Sequence, residues 1–263
     1  MHKPAAITAL LVLVAATALA DDTRIVRKQV EIRPDGRVSL ETFKGTVHVR
    51  TWNQPKVDIV ATIAPDPSGD KQDERVELTE VRVSSSSGTV DIESDYSEAS
   101  RVREGFFGTL FGVTGGTMPF VNYEIQMPAT ASLEIEDHKS NLTVAGLGGE
   151  LTIETHKGIA KITAQSGPVH VDTHKGTIDV DFASITRPSS FETHKGTITL
   201  RIAAGARFDV DAVLDDDDAG FNSDFPMTIE RSGSEGSVKA HVNGGGPLVR
   251  VETHKGAIRF VRK

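Results

Sequence analysis

The stretch that decides the fold is Glu-Thr-His-Lys-Gly, which stands at 154–158, 192–196 and 252–256. Close variants are DTHKG at 172–176, EDHKS at 136–140 and ETFKG at 41–45. The five motif histidines are residues 138, 156, 174, 194 and 254, separated by 18, 18, 20 and 60 positions. A fixed period near 20 is typical of a solenoid or a stacked array. Because the last spacing is three times 20, we expect coils without the motif to separate the last histidine from the others.

Inside each unit the hydrophobic pattern has a period of two, which indicates strands. In LTIETHKGIAKI (151–162), Leu151, Ile153 and Thr155 share one face, while Glu154 and His156 lie on the other. The repeat therefore predicts an all-β chain, a right-handed parallel β-solenoid with coils of about 18–20 residues and less regular N-terminal strands. An antiparallel meander or sandwich of short strands is the alternative.

Two positions of the motif are predicted to build the turn. The glycine that ends each Lys-Gly step is expected to take a positive φ. The threonine is expected to point inward, where its hydroxyl can bond along the stack. These structural residues are Gly158, Gly176, Gly196, Gly256, Thr155, Thr173, Thr193 and Thr253.

The remaining motif positions should form columns on the outer face. They are the histidines His156, His174 and His194, the lysines Lys157, Lys175 and Lys195, and the acids Glu154, Asp172 and Glu192. One interpretation is a solvated edge that discourages lateral sheet pairing. A second is a ladder of imidazoles and carboxylates that binds a transition metal. A third is a strip for an anionic glycan or lipid head group, with the lysines as donors.

Catalysis is not predicted. Sugar-cleaving β-helices use a distinct pair of carboxylates, and here every candidate acid is copied along the repeat. We therefore expect neither a catalytic centre nor a cofactor.

The N-terminus predicts export. Residues 1–20 combine a short basic start, an apolar run and the cleavage site Ala18-Leu19-Ala20, which is typical of a signal peptide. A membrane anchor is the alternative, but the run is short for a bilayer of about 30 Å. The mature chain, 21–263, is expected to be one domain with an irregular part at 21–95, a loop at 95–120 and regular coils at 121–263. It would be periplasmic, surface-bound or secreted, with no further membrane span.

Charge and cysteine content narrow the partners. The chain has a net charge of −8, which becomes −9 once Lys3 is removed, and this argues against nucleic acid. There is no cysteine, so an exported form has neither disulfides nor a thiolate zinc site. The loop at 95–120 carries Phe106, Phe107 and Phe111 among glycines, and it is interpreted either as a lid on an open end or as a partner contact.

Four segments resemble the bacterial adhesin-like proteins of unknown function that fold as parallel β-helices. They are DGRVSLETFKGTVHVRTW (35–52), VNYEIQMPATASLEIED (121–137), NSDFPM (222–227) and NGGGPLVRVETHKGAIRF (243–260). The resemblance implies an exported, non-enzymatic domain with no catalytic residues to transfer. The function we predict is an interaction or scaffold role in the cell envelope, with an envelope protein, a glycan or a lipid head group as the partner. The His-Lys pair departs from the small polar turns usual there. Periplasmic transition-metal binding is the alternative function.

Overall fold

The computed structural model describes residues 23–86, 88–102, 116–214, 219–227 and 236–263. The predicted signal peptide and Phe106, Phe107 and Phe111 of the 95–120 loop lie outside these residues. The strands are β1 (Arg24–Glu31), β2 (Arg37–Trp52), β3 (Lys56–Ala64), β4 (Glu80–Ser86), β5 (Thr89–Asp95), β6 (Phe120–Pro128), β7 (Ser132–Ala145), β8 (Leu151–Gln165), β9 (Val169–Phe182), β10 (Ser189–Ile202), β11 (Phe208–Leu214), β12 (Gly220–Ser223), β13 (Gly236–Val242) and β14 (Leu248–Arg262). A short helix, α1 (Gln72–Leu78), and a 3-10 turn at Ala99–Arg101 complete the described elements.

The strands form one 14-stranded, mostly parallel sheet. Its centre is a run of six long parallel strands in the order β2, β7, β8, β9, β10, β14. Antiparallel pairing occurs toward the ends, among β1, β3 and β6 and between β11 and β13. The all-β prediction is confirmed, and the motif strands are parallel, as in a solenoid-like fold, rather than a meander.

The motif strands pair with their repeats in register. Ile153 lies opposite Val171, and Val171 lies opposite Phe191. The same register aligns the threonines, so that Thr173 pairs with both Thr155 and Thr193. Each motif position therefore becomes a row that crosses the sheet at the spacing of neighbouring strands.

The core lies on one side of each strand, and the buried phase changes at the motif. In β8, Leu151, Ile153 and Thr155 are buried before the His-Lys-Gly segment, and Ala160 and Ile162 are buried after it. Four unburied residues, 156–159, separate the two runs. A phase change of this kind places a corner in the strand, with the His-Lys-Gly segment on its outer side.

One expectation about the stack was wrong. β14 pairs directly with β10, so that Thr193 lies opposite Thr253, and no coil without the motif separates them. The intervening chain instead continues beyond β14, where β11 pairs with β14 and β13 pairs with β11. Spacing arithmetic cannot distinguish missing repeats from an insertion that packs outside the stack.

The segment RVELTEVRV (75–83) has alternating apolar residues, which predict a single strand. Its first part belongs to α1, and β4 begins only at Glu80. The reason is the buried Arg75, which donates to the carbonyls of Ala99 and Val102 and ties the helix to the 3-10 turn.

Each of the two outermost strands of the parallel run pairs with two shorter strands, one along each half of its length. β2 pairs with β5 through its first half and with β6 through its second half. β14 pairs with β11 and β12 in the same divided way. Within the described part of the chain, no helix is both long and apolar enough to cross a membrane.

Candidate functional site

A column of six stacked rings runs across the outer face of the corner. Neighbouring ring centroids are 4.6 to 4.9 Å apart, and the planes of neighbouring rings differ by at most 8°. We call this the ring column: Phe43, His138, His156, His174, His194 and His254. The Phe43 ring also packs against the Tyr96 ring in a T-shaped arrangement, with the ring centroids 5.9 Å apart. The predicted column of His156, His174 and His194 is present, and it is extended by His138 and Phe43 at one end and by His254 at the other.

Two charged rows flank the ring column. Two positions before each ring stands the acid row, Glu41, Glu136, Glu154, Asp172, Glu192 and Glu252. One position after the ring stands the lysine row, Lys139, Lys157, Lys175, Lys195 and Lys255. All members of both rows are exposed except the half-buried Glu252. We refer to the two rows and the ring column together as the ladder face.

The glycines of the motif are required by close backbone contact. A methyl group on Gly176 would lie 2.2 Å from the carbonyl oxygen of Gly158, and one on Gly196 would lie 1.7 Å from that of Gly176. The predicted positive φ holds at Gly158 and Gly256, at 155° and 147°, but not at Gly176 or Gly196. The glycine requirement therefore stands, but its cause differs from the one expected.

The threonines point inward but do not form a hydroxyl ladder. Thr155 donates to Asp137 Oδ2 at 2.7 Å. The hydroxyls of Thr173, Thr193 and Thr253 are buried and have no hydrogen-bond partner among the described residues. The β-branched carbon therefore explains the choice of threonine in β9, β10 and β14 better than the hydroxyl does.

The β7 copy of the motif replaces both inner residues. Asp137 stands in the threonine row and Ser140 stands in the glycine row. Ser140 donates to Asp137 through its backbone N–H at 2.7 Å and its hydroxyl at 2.5 Å. Burial raises the pKa of the Asp137 carboxyl, and the hydrogen bonds from Ser140 and Thr155 act in the opposite direction.

The β2 copy differs on the outer side. Lys44 is in register with Lys139 but only 6% exposed, because its Nζ contacts Asp66 Oδ2 at 2.5 Å and lies 4.4 Å from the centre of the Phe120 ring. Burial alone would raise the pKa of Asp66, but hydrogen bonds from Lys44 and Ser68 outweigh it and lower that pKa to about 2. Lys44, which is the β2 counterpart of the lysine row, is therefore buried and is not part of the exposed ladder face.

Neighbouring imidazole rings of the ring column repel one another when both are protonated. Partial shielding from water, and after it the positive charges of His254 and His174, lower the pKa of His194. The positive charges of these neighbours therefore favour the neutral state of His194.

The stacked rings do not converge on a common ion position. Because the rings of His156 and His174 are parallel within 7° with centroids 4.9 Å apart, their nitrogen lone pairs point side by side. A zinc ion shared by two imidazoles needs nitrogens within about 4.2 Å of each other. Among the residues that the structure describes, no group of three or more His, Asp or Glu side chains is placed to hold a metal. Metal binding by these histidines and acids therefore stays a prediction, and it would require the rings to turn.

Sequence reasoning missed Phe43 and Tyr96 as parts of this surface. The signal for Phe43 was available, since ETFKG repeats the motif with another flat ring in the histidine position. Tyr96 carries no motif, and its place depends on a long-range contact. Together with Met118 and the first rungs of the column, these residues line an open groove beside the start of the ring column.

The fold and this repeated face define a class, namely a β-rich chain built on one long, mostly parallel sheet that repeats its surface residues strand by strand. Residues 33–260 match the Toastrack DUF4097 family, and the chain belongs to that family. This confirms the resemblance to adhesin-like proteins of unknown function. No curated protein matches the chain.

Solved structures with low similarity to this chain include two bacterial proteins. A candidate cell adhesion protein from Clostridium sporogenes is 13% identical, with a TM-score of 0.44, and the match covers 91% of this chain and 100% of that chain. A candidate adhesin from Bacteroides fragilis is 10% identical, with a TM-score of 0.36, over 90% of this chain and 97% of that chain. At these levels of similarity, neither protein assigns a function to this one.

Proposed function

We propose that the protein is an exported, non-enzymatic interaction or scaffold protein of the cell envelope, wound as a right-handed solenoid with coils of about 18–20 residues. One observation carries the proposal: the ladder face presents two rows of exposed charged side chains, in register, beside a ridge of stacked rings. A surface that repeats at every strand suits an extended contact better than a single reacting centre.

The rigidity of the underlying sheet supports this role. The residues beneath the ladder face are buried apolar side chains such as Ile153, Val171 and Phe191, each at most 3% exposed. The backbone positions of the rows are therefore fixed before any partner binds, so that little backbone entropy is lost on binding.

Export follows from the composition of residues 1–20, and it is tested by the mature N-terminus. Mass spectrometry of the protein recovered from its native host should give Asp21 as the first residue. Recovery of a chain that still begins with Met1, in the cytoplasm, would contradict export.

The interaction role is tested by sedimenting the purified mature chain with washed envelope fragments from the host. The parent protein should sediment with the fragments, and the triple variant Lys157→Gln, Lys175→Gln, Lys195→Gln should lose most of this binding. The matched control replaces Lys28, Lys161 and Lys239, which stand outside the ladder face, and it should bind like the parent. Equal binding by both triple variants would exclude the lysine row as the contact, and no binding by the parent would contradict an envelope partner.

A further inference from the structure

We propose that the ladder face binds a second copy of this chain, with the acid row of each copy opposite the lysine row of the other. The inference rests on the proposed function only in taking the ladder face as an interaction surface. It adds the identity of one partner.

Several side chains of each sign on this face have no partner among the described residues. The side chains of Lys139, Lys157, Lys175 and Lys195 make no hydrogen bond or ion pair with any described residue. The same holds for three members of the acid row, Glu136, Glu154 and Asp172. In sequence, each ring of the ring column stands between an acid-row residue and a lysine-row residue. Each copy therefore offers a negative stripe and a positive stripe that are both available.

The order of the rows selects one orientation of the two copies. Along each strand the sequence is acid, ring, lysine, as in Glu154, His156 and Lys157. A two-fold axis parallel to the ring column reverses this order in the second copy, so that each acid row faces a lysine row. An axis across the column would place like charges together, which is unfavourable. Self-complementarity about a two-fold axis is the usual basis of a homodimer.

The spacing and the charges of the acid row and the lysine row also limit the kinds of partner that can bind both rows. The rungs of the ring column are 4.6 to 4.9 Å apart, and a second copy has the same spacing because it has the same stacked strands. A polyanion would satisfy the lysine row but would be repelled by the acid row, and a polycation would meet the reverse problem. A second copy supplies both charges at the matching period.

The self-association is expected to be weak in dilute solution. The face is about five strand spacings long and a few residues wide, so it buries less than the roughly 1,200–2,000 Å² of a stable complex. Exposed ion pairs add little each and are screened by salt. Copies held on facing surfaces would bind through many such contacts at once, which multiplies a weak interaction.

The test uses a pair of charge-reversed variants of the mature chain. One carries Lys157→Glu, Lys175→Glu and Lys195→Glu, and the other carries Glu154→Lys, Asp172→Lys and Glu192→Lys. Sedimentation equilibrium at high protein concentration and low salt should show the parent associating. Each variant alone should associate at least about tenfold more weakly, because like charges then face each other. An equimolar mixture of the two variants should associate again, since the ladder face of one variant is then acidic and that of the other is basic.

Controls keep the result interpretable. Circular dichroism should show both variants folded, and high salt should weaken the parent and the mixture alike. A parent that stays monomeric, or a mixture that fails to associate, would overturn the inference. Because this assay contains no envelope material, self-association without envelope binding would contradict the proposed envelope partner alone. Envelope binding by a strictly monomeric parent would contradict this inference alone.

Discussion

The motif copies in β2 and β9 carry the same turn but make different use of it. In β9, His174 and Lys175 are both exposed, whereas in β2 the ring is Phe43 and Lys44 is buried against Asp66. Both copies keep the glycine, and both place a flat ring in the same column. The difference shows that backbone contact fixes the glycine, stacking fixes the ring, and the surroundings decide what the lysine does.

The comparison predicts that substitutions of the motif glycines lower the stability of the protein more than substitutions at the other motif positions. In Gly196→Ala the added methyl group would lie 1.7 Å from the carbonyl oxygen of Gly176, so β9 and β10 would have to separate. We expect a loss of about 4 kcal/mol in the free energy of unfolding, since two backbones must shift. Gly205→Ala is the control, because nothing lies within 4 Å of its added methyl group. Equal urea midpoints for the two variants would show that the close contact is not needed.

The next largest effect should separate the two lysines. Lys44→Met leaves the Asp66 carboxylate buried without its cation, and we expect a loss of about 2–3 kcal/mol. Lys157→Met removes an exposed lysine and should change the free energy of unfolding by less than about 0.5 kcal/mol. Thermal melts of the two variants measure the contrast, and a similar cost for both would mean that burial of Lys44 is energetically unimportant.

The same ion pair predicts a pH dependence with a definite sign. The folded pKa of Asp66 is about 2, below its ordinary value of 3.8, so the unfolded state binds the proton first as the pH falls. The stabilisation is complete above about pH 4 and is lost on acidification through about pH 2, for a total of about 2 kcal/mol. Asp66→Asn should remove this part of the slope in acid unfolding experiments, and an unchanged slope would contradict the assignment.

A smaller effect should distinguish the threonines. Thr155→Val removes the hydrogen bond to the half-buried Asp137, and we expect it to cost about 1 kcal/mol. Thr173→Val removes a buried hydroxyl that has no partner among the described residues, so it should be neutral or slightly stabilising. Equilibrium unfolding of the two variants gives the comparison, and a larger loss for Thr173→Val would imply a partner for its hydroxyl.

The smallest effect is expected for the exposed imidazoles. Replacing His156, His174 and His194 together with asparagine should cost about 1 kcal/mol or less in metal-free buffer, because these side chains are solvated and contribute only stacking. Zinc, copper or nickel should then leave the melting temperatures of both proteins unchanged, since the parallel rings do not converge. A metal-dependent gain by the parent alone would establish the metal-ladder alternative.

The sequence predicted the inner and outer faces of the motif strands and the column of histidines, because a period of two and a period of 18 to 20 are both local patterns. It could not place β14 beside β10, since the position of β11 and β13 beyond β14 depends on tertiary packing. Nor could it predict the burial of Lys44, because Asp66 and Phe120 lie far from it in sequence. Whether the outer residues bind anything depends on a partner, which no pattern within the chain describes.

The in-register pairing of β8 with β9 has a consequence for how such a protein changes over generations. Leu151 lies opposite Val169, and Ile153 lies opposite Val171, so that residues 151–168 form a unit whose two neighbours resemble it. A duplication of that unit in the gene would insert one more strand while the pairings at both ends stayed as they are. The length of the ladder face would then change by whole strands, and it could increase or decrease by one strand at a time during evolution.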